Sequence, residues 1–127
     1  MRNGTRALFV GLAVVALLMA AVGCRSTGAA LGGTSWKLTE WTVSSQSPAD
    51  FTITAAFADG RVSGTSAVNS YGGAYTEGPG EAFETGDLVM TLMAGPEPAM
   101  RAEQAYRELL RRARSFKLAG TTLTLYD

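Results

Sequence analysis

The 127-residue chain contains no histidine and only one cysteine, Cys24. Without histidine a Ser-His-Asp triad cannot be assembled, and most zinc sites lose their usual nitrogen ligand. An excess of charge is also absent, because 11 Lys and Arg residues balance 11 Asp and Glu residues. Nucleic acid requires a basic surface and is therefore not an expected partner. We predict a protein that is not an enzyme, with no catalytic residue, no metal and no cofactor.

Few side chains remain that could support catalysis. One candidate is an acidic cluster formed by Glu77, Glu81, Glu84 and Asp87. Two of these carboxylates could act together in glycoside hydrolysis, or several could bind calcium. Solvated loop charges are the simpler interpretation. The group Ser44, Ser45 and Ser47 is typical of a turn rather than of a catalytic serine.

The first 23 residues have the composition of a signal peptide. Arg2 and Arg6 give a basic start, and residues 7–22 are apolar apart from Gly11. This apolar run is shorter than the roughly 20 residues that a spanning helix needs. A basic start, a short apolar centre and small residues at the end predict a secretory signal over residues 1–23.

The run Ala21-Val22-Gly23-Cys24 resembles a lipobox, although Ala21 stands where leucine is most typical. The resemblance implies cleavage between Gly23 and Cys24 and acylation of Cys24, with palmitate among the acyl chains. Two or three acyl chains hold a protein durably on a membrane, whereas one holds it only marginally. We expect a lipid anchor in the cell membrane, outside the cytoplasm. The alternative is that Cys24 merely follows an ordinary cleavage site.

The residues after Cys24 divide into a tether and a domain. Residues 24–33 are small and polar, which predicts a flexible tether. Residues 34–127 have the length of one domain, and we expect a monomer. Alternation of apolar and polar residues predicts strands around Trp36 and Leu38 and over residues 51–57, and Asp59-Gly60 predicts a tight hairpin turn.

The second half of the domain is predicted to contain strands and a helix. Gly72-Gly73 predicts a break in a strand, residues 76–80 a polar loop, and residues 85–87 a turn between two strands. Residues 99–114 predict a helix, with an apolar stripe of Ala102, Tyr106, Leu109, Leu110 and Ala113. The i, i+4 spacing predicts ion pairs Glu103–Arg107 and Glu108–Arg112.

Two strands are expected after the helix. The predicted fold class is α+β, a curled antiparallel β-sheet that is partly open and barrel-like, with one α-helix inserted before the last two strands.

Four segments of this domain resemble the META domain of bacterial envelope lipoproteins, a family that includes a heat-shock lipoprotein group. They are Gly33-Thr34-Ser35-Trp36-Lys37-Leu38, Asp59-Gly60-Arg61-Val62-Ser63-Gly64, Asn69-Ser70-Tyr71-Gly72-Gly73-Ala74-Tyr75, and Thr91-Leu92-Met93-Ala94 followed by Met100 and Glu103. The resemblance implies a non-catalytic domain that serves as a binding or stress-related structural module. Relatives often carry cysteines where Val68 and Gly95 stand here, which implies that these two positions lie close in space.

Asn69, Tyr71 and Tyr75 are the candidate binding surface of the domain, as the polar and aromatic lining of a groove for an envelope protein or a small ligand. The structural alternative has Asn69 bonding the backbone of a turn, with the tyrosines filling the edge of the core and their hydroxyls pointing outward. Arg107, Arg111 and Arg114 could face anionic lipid headgroups or could simply be solvated. Two other functions stay open: a small envelope enzyme or protease inhibitor, and a carrier with an enclosed cavity for an apolar ligand beneath the helix.

Overall fold

The computed structural model describes residues 7–13 and 30–127. Within these residues the strands are β1 (Ala7–Ala13), β2 (Thr34–Glu40), β3 (Thr54–Ala58), β4 (Arg61–Thr65), β5 (Ser70–Gly78), β6 (Ala82–Met90), β7 (Ser115–Ala119) and β8 (Thr122–Tyr126). One α-helix, α1 (Glu97–Arg112), separates β6 from β7, and short 3-10 turns occur at Pro48–Asp50 and Pro79–Glu81. The predicted fold class is confirmed.

The strands pair antiparallel in chain order and form a barrel. β2 to β8 make a seven-stranded sheet that is nearly closed, and β1 lies between its two outer strands. β1 pairs with β2 through Gly11 opposite Leu38, and with β8 through Gly11 opposite Leu123. The residues of β1 belong to the predicted signal peptide, so a segment expected to leave the protein completes the sheet.

The predicted hairpin at Asp59-Gly60 is confirmed. Ala58 pairs with Arg61, so the loop between β3 and β4 has two residues. Asp59 has φ of 54° and Gly60 has φ of 76°. Positive φ at both positions gives a turn whose twist matches that of the flanking strands, and Asp-Gly tolerates it at low cost.

The expectations for β5 and β6 were wrong in three places. β5 runs through Gly72 and Gly73 and continues to Gly78, so it neither breaks nor gives way to a loop at residue 76. β6 likewise runs through Gly86 instead of dividing into two strands. The glycines accompany an irregularity in pairing: the register of β5 against β6 shifts between Gly73 and Tyr75. Neighbouring strands on both sides of β5 satisfy its backbone, which overrides the local preference of glycine for a turn.

The helix covers the part of the sheet where pairing is weakest. β6 and β7 pair only through Ala82 and Ser115, and α1 packs along β6. The predicted apolar stripe is confirmed, since its members are at most 1% exposed: Ala102, Tyr106, Leu109, Leu110 and Ala113. They join one core with the inward side chains of the strands. Each large apolar side chain buried this way contributes about 1.5–3 kcal/mol.

The predicted ion pairs on the helix were wrong. Glu103 turns inward instead of bonding Arg107, because backbone and side-chain donors surround it inside the domain. Glu108 pairs with Arg111, one residue earlier than expected. Arg112 instead bonds Asp127 at 2.7 Å and so ties the end of the helix to the end of the chain.

The folded unit begins before residue 34. Leu31 is fully buried in the core. The carboxylate of Glu77 accepts hydrogen bonds from the backbone N–H groups of Ala30 and Leu31, at 2.9 and 3.1 Å. Gly33 donates its N–H to Phe57 at 2.7 Å. Residues 30–33, which the sequence assigned to the tether, are thus held against the domain.

Gly73 and Gly72 provide a matched test of the packing between β5 and β6. A Cβ on Gly73 would lie 2.7 Å from the carbonyl oxygen of Asp87, whereas a Cβ on Gly72 would meet nothing closer than 3.6 Å. We expect Gly73→Ala to lower the free energy of unfolding by about 1–3 kcal/mol through overpacking. Gly72→Ala should change it by less than about 0.5 kcal/mol. Urea unfolding of both variants measures the difference, and equal stabilities would contradict the close approach.

Candidate functional site

Asn69 ends the tight connection between β4 and β5. In this connection Ser66 donates its N–H to the carbonyl of Asn69 at 2.8 Å, and Ala67 has a positive φ of 82°. Asn69 is 2% exposed, so its amide group needs partners inside the protein. The connection therefore presents Asn69 to the interior and not to solvent.

The side chain of Asn69 joins three segments of the chain. Its Oδ1 accepts hydrogen bonds from the hydroxyl of Thr91 at 2.8 Å and from the N–H of Met93 at 2.6 Å. Its Nδ2 donates to the carbonyl of Met93 at 3.1 Å and to the carboxylate of Glu103 at 2.7 Å. An amide offers two donor hydrogens and two acceptor lone pairs, and all four are used here.

Glu103 is the charged centre of this network and is 6% exposed. Its Oε1 accepts from the hydroxyl of Ser66 at 3.0 Å and from the N–H groups of Val68 and Asn69 at 3.2 and 2.7 Å. Burial raises the pKa of Glu103, but the hydrogen bonds from Asn69, Ser66 and Val68 together outweigh burial, so the pKa lies below its usual value. Glu103 is therefore a carboxylate at neutral pH, and it holds α1 against the β4–β5 connection.

Tyr71 and Tyr106 meet beneath the helix. The Tyr71 hydroxyl donates to the carbonyl of Thr54 at 2.7 Å and lies 2.5 Å from the Tyr106 hydroxyl. Since Tyr71 gives its one hydrogen to Thr54, Tyr106 is the donor to Tyr71. The rings pack edge to face at 5.4 Å, and burial raises the pKa of both hydroxyls. The expectation that the tyrosine hydroxyls point outward is wrong for Tyr71.

Tyr75 lies on the same face of β5 and is 7% exposed. Its ring contacts Phe57 edge to face at 4.8 Å and stacks with Phe83 at 6.0 Å. Its hydroxyl donates to Glu77 at 3.4 Å. Burial, and then the negative charge of Glu77, raise the pKa of Tyr75 to about 12. The three residues proposed as a binding surface thus point into the interior.

Among residues 7–13 and 30–127, three prominent grooves on the surface are lined by residues other than Asn69, Tyr71 and Tyr75. The first, of about 460 Å³, is lined by residues 39–42 and 44–48. It contains the predicted serine turn, in which the hydroxyl of Ser44 accepts from the N–H of Gln46 at 3.1 Å. Trp41 forms part of the wall and donates its indole N–H to the carbonyl of Gln46 at 2.8 Å.

The second groove, of about 510 Å³, lies between residues 85–88 of β6 and the helix. Asp87, Arg107 and Arg111 line it, so its charges are mixed. The third groove, of about 340 Å³, contains Glu84 and Arg114. The acidic residues of the predicted cluster are therefore divided: Glu77 and Glu84 line the third groove, Asp87 lines the second, and Glu81 lines neither. The three arginines are divided between the same two grooves.

The predicted lipidation site, Cys24, and the predicted cleavage site between Gly23 and Cys24 lie outside the described residues. Across residues 7–13 and 30–127, no helix combines the length and apolar character needed to cross a membrane. The same residues contain no group of three or more carboxylate or thiol ligands placed to hold a metal ion.

Val68 and Gly95 touch, as the resemblance implied. A Cβ on Gly95 would lie 3.6 Å from the Cβ of Val68 and 2.9 Å from its Cγ2. Disulfides span Cβ–Cβ distances of about 3.5–4.5 Å. In this chain the valine side chain occupies the space over the glycine, so packing links the β4–β5 connection to the segment before α1 where a bridge would fit.

Sequence reasoning missed the structural roles of two carboxylates, the buried Glu103 and the half-buried Glu77. Glu103 lies three residues before Tyr106 and four after Ala99, which places it within the apolar stripe of the helix. That position was the available signal for an inward carboxylate. Glu77, which binds the N–H groups of Ala30 and Leu31, carried no such signal because its partners lie far away in the chain.

These features define a small α+β domain, built on an antiparallel barrel and held to its helix by a buried carboxylate. The family model of the META domain matches residues 29–127. The chain belongs to the META domain family. Neither a search of curated proteins nor a search of solved structures gave a significant match.

Replacing Glu103 tests the buried network. We expect Glu103→Gln to lower the free energy of unfolding by about 2–3 kcal/mol at neutral pH. A charged hydrogen-bond acceptor is lost, and the NH2 group of the glutamine would face the donating Nδ2 of Asn69. Folding lowers the pKa of Glu103. Its contribution to the free energy of unfolding is therefore fully present above the ordinary carboxyl pKa, and it is lost as the pH falls through the pKa of Glu103 in the folded protein. The stabilities of the variant and the wild type should therefore converge in acid.

The control for this experiment is Glu108→Gln, on the exposed side of the same helix. This substitution should change stability little, because exposed ion pairs contribute little. Urea unfolding across a pH series measures both variants, and a Glu103→Gln variant as stable as the wild type at neutral pH would contradict the structural role.

A pair of cysteines tests the contact between Val68 and Gly95. In a Cys24→Ser background, V68C/G95C should form a disulfide spontaneously in air and gain about 2–4 kcal/mol of stability relative to its reduced form. The control pair V68C/G86C should keep two free thiols, since the Gly86 position meets Ala74 and not Val68. Thiol titration of the folded proteins distinguishes the pairs. Two free thiols in V68C/G95C would argue against the packing.

Proposed function

We propose that this protein is a membrane-anchored envelope lipoprotein whose META domain acts by binding and not by catalysis. The observation that carries the anchor is the position of Cys24: it is the sole cysteine, it ends a lipobox-like run, and it shortly precedes a domain that is packed from Leu31 onward. A lipid on Cys24 would hold the protein on the outer face of a membrane.

The short link gives the anchor a geometric consequence. Because residues 30 and 31 are bonded to Glu77, the link that connects lipid to domain is residues 24–29. Fully extended, these residues span at most roughly 20 Å. The domain would therefore stay close to the membrane, with the end of the barrel that carries Glu77 nearest to it.

Binding without catalysis is the activity that the domain supports best. The buried groups of Asn69, Glu103 and Tyr71 are engaged with each other and with the backbone. Glu77 and Glu84 share the third groove, but Glu77 is engaged by the backbone N–H groups of Ala30 and Leu31, so the two do not form the pair of free carboxylates that a glycosidase needs. The space beneath the helix, where a carrier would hold an apolar ligand, is occupied by the Tyr71–Tyr106 pair. A stress-related role follows from the resemblance to the heat-shock group.

Metabolic labelling with an alkyne analogue of palmitate tests the anchor. We expect the wild-type chain to take up label in bacterial cells and to fractionate with membranes, and Cys24→Ala to lose both properties because the thiol is the acylation site. Ser26→Ala is the matched control and should remain labelled. A labelled Cys24→Ala variant, or a wild-type protein found soluble and uncut in the cytosol, would overturn the proposal.

A further inference from the structure

The strand that closes the barrel belongs to the segment that cleavage would remove. β1 pairs with β2 on one side and β8 on the other, and in the strand order it alone separates them. Paired strands lie about 4.8 Å apart, so β2 and β8 are separated by roughly 10 Å across β1. We name this space, between Thr34–Glu40 and Thr122–Tyr126, the strand slot.

Both sides of the strand slot present backbone hydrogen-bonding groups. Leu38 donates its N–H to Ile53, on the side of β3. Because successive residues of a strand point their backbone groups to opposite sides, those of Lys37 and Thr39 point into the slot. On β8 the carbonyl of Tyr126 accepts from Arg114, on the side of β7, so the backbone groups of Leu123 and Leu125 point into the slot.

The strand slot also covers apolar core. Trp36 and Leu38 of β2 and Leu123 and Leu125 of β8 are at most 2% exposed with β1 in place. Removing β1 leaves two unpaired edges over these side chains, and unpaired edges readily accept another strand. The occupant in this chain, Ala7–Ala13, has the sequence ALFVGLA and carries no charged or polar side chain. Charge would be costly over such a core, so the same chemistry is expected of any replacement.

Resting on the proposed cleavage before Cys24, we propose that the mature domain binds an extended, uncharged, apolar segment of a partner polypeptide in the strand slot. The segment runs antiparallel to both β2 and β8 and hydrogen-bonds to both edges, with about seven residues in the slot. Strand addition of this kind takes affinity from the backbone and specificity from alternate side chains. In the precursor, β1 occupies the site and keeps it closed.

Register-specific crosslinking tests the proposal. Val10 pairs with Thr124, and Leu12 with Thr122. The backbone groups of Thr124 and Thr122 point towards β7 and not towards β1. The pairs Val10–Thr124 and Leu12–Thr122 are therefore non-hydrogen-bonded pairs, whose side chains lie close enough for a disulfide. The test protein is the predicted mature chain, residues 24–127 with Cys24→Ser. The probe is a peptide with the sequence of residues 7–13 and capped ends, carrying cysteine at the position of Val10 or of Leu12.

We expect Thr124→Cys to crosslink to the peptide with cysteine at position 10, and Thr122→Cys to the peptide with cysteine at position 12. Each matched pair should react at least tenfold faster than the mismatched pairs. Peptides N-methylated on alternate residues, which cannot hydrogen-bond to one edge, should lose the preference. In full-length chains with Cys24→Ser, V10C/T124C should form an internal disulfide and exclude the peptide, whereas V10C/T122C should not close.

Three results would overturn the strand slot. They are crosslinking that is equal in all registers, no crosslinking by a chain whose near-ultraviolet circular dichroism shows it to be folded, and a mature chain that does not fold without β1. The outcome is separate from that of the anchor, because labelling of Cys24 in cells and crosslinking of the shortened chain are independent measurements. If the chain stays unlabelled and uncut in cells while the shortened chain binds the peptide in register, the anchor alone is refuted.

Discussion

A carboxylate can be buried in a small domain only if donors surround it, and this requirement fixes the relation of the helix to the sheet. Glu103 on α1 accepts from Ser66, Val68 and Asn69 at the β4–β5 connection. Asn69 in turn bonds Met93, in the segment that leads into the helix. Displacing any of these segments would leave a charge or an amide unsatisfied in the interior, which costs more than the bonds contribute when formed. The apolar core supplies most of the stability, and the network selects one arrangement of it.

Strand pairing in the barrel is weak at two places, between β6 and β7 and between β2 and β8. α1 packs along β6 where β6 and β7 barely pair, but between β2 and β8 the sheet is completed by β1 alone. Precursor and mature protein would thus differ in the sheet itself, and the mature form would carry two strand edges close to a membrane. The proposed binding role of the domain is consistent with such a site, because strand addition needs only backbone groups and apolar surface.

Local patterns predicted much of the fold. The stripe on the helix follows from 3.6-residue periodicity, and the hairpin at Asp59-Gly60 follows from the positive φ values that these residues tolerate. The break at Gly72-Gly73 was predicted wrongly for a physical reason. Glycine favours turns locally, but in β5 it allows a close approach to β6, where a Cβ on Gly73 would meet the carbonyl of Asp87. For Asn69, Tyr71 and Tyr75 the sequence left a binding surface and a structural role both open, and the structure buries all three side chains.

The sequence by itself determined the class of the domain, its hairpin and its helix face. These features depend on hydrophobic periodicity and on short motifs, and both are encoded by residues that are adjacent in the chain. Tertiary structure decided that Glu103 faces inward, that Glu77 holds residues 30 and 31, and that Val68 fills the space over Gly95. Each of these depends on partners distant in the chain, and a hydrogen bond or a contact between such partners exists only once the sheet has brought them together.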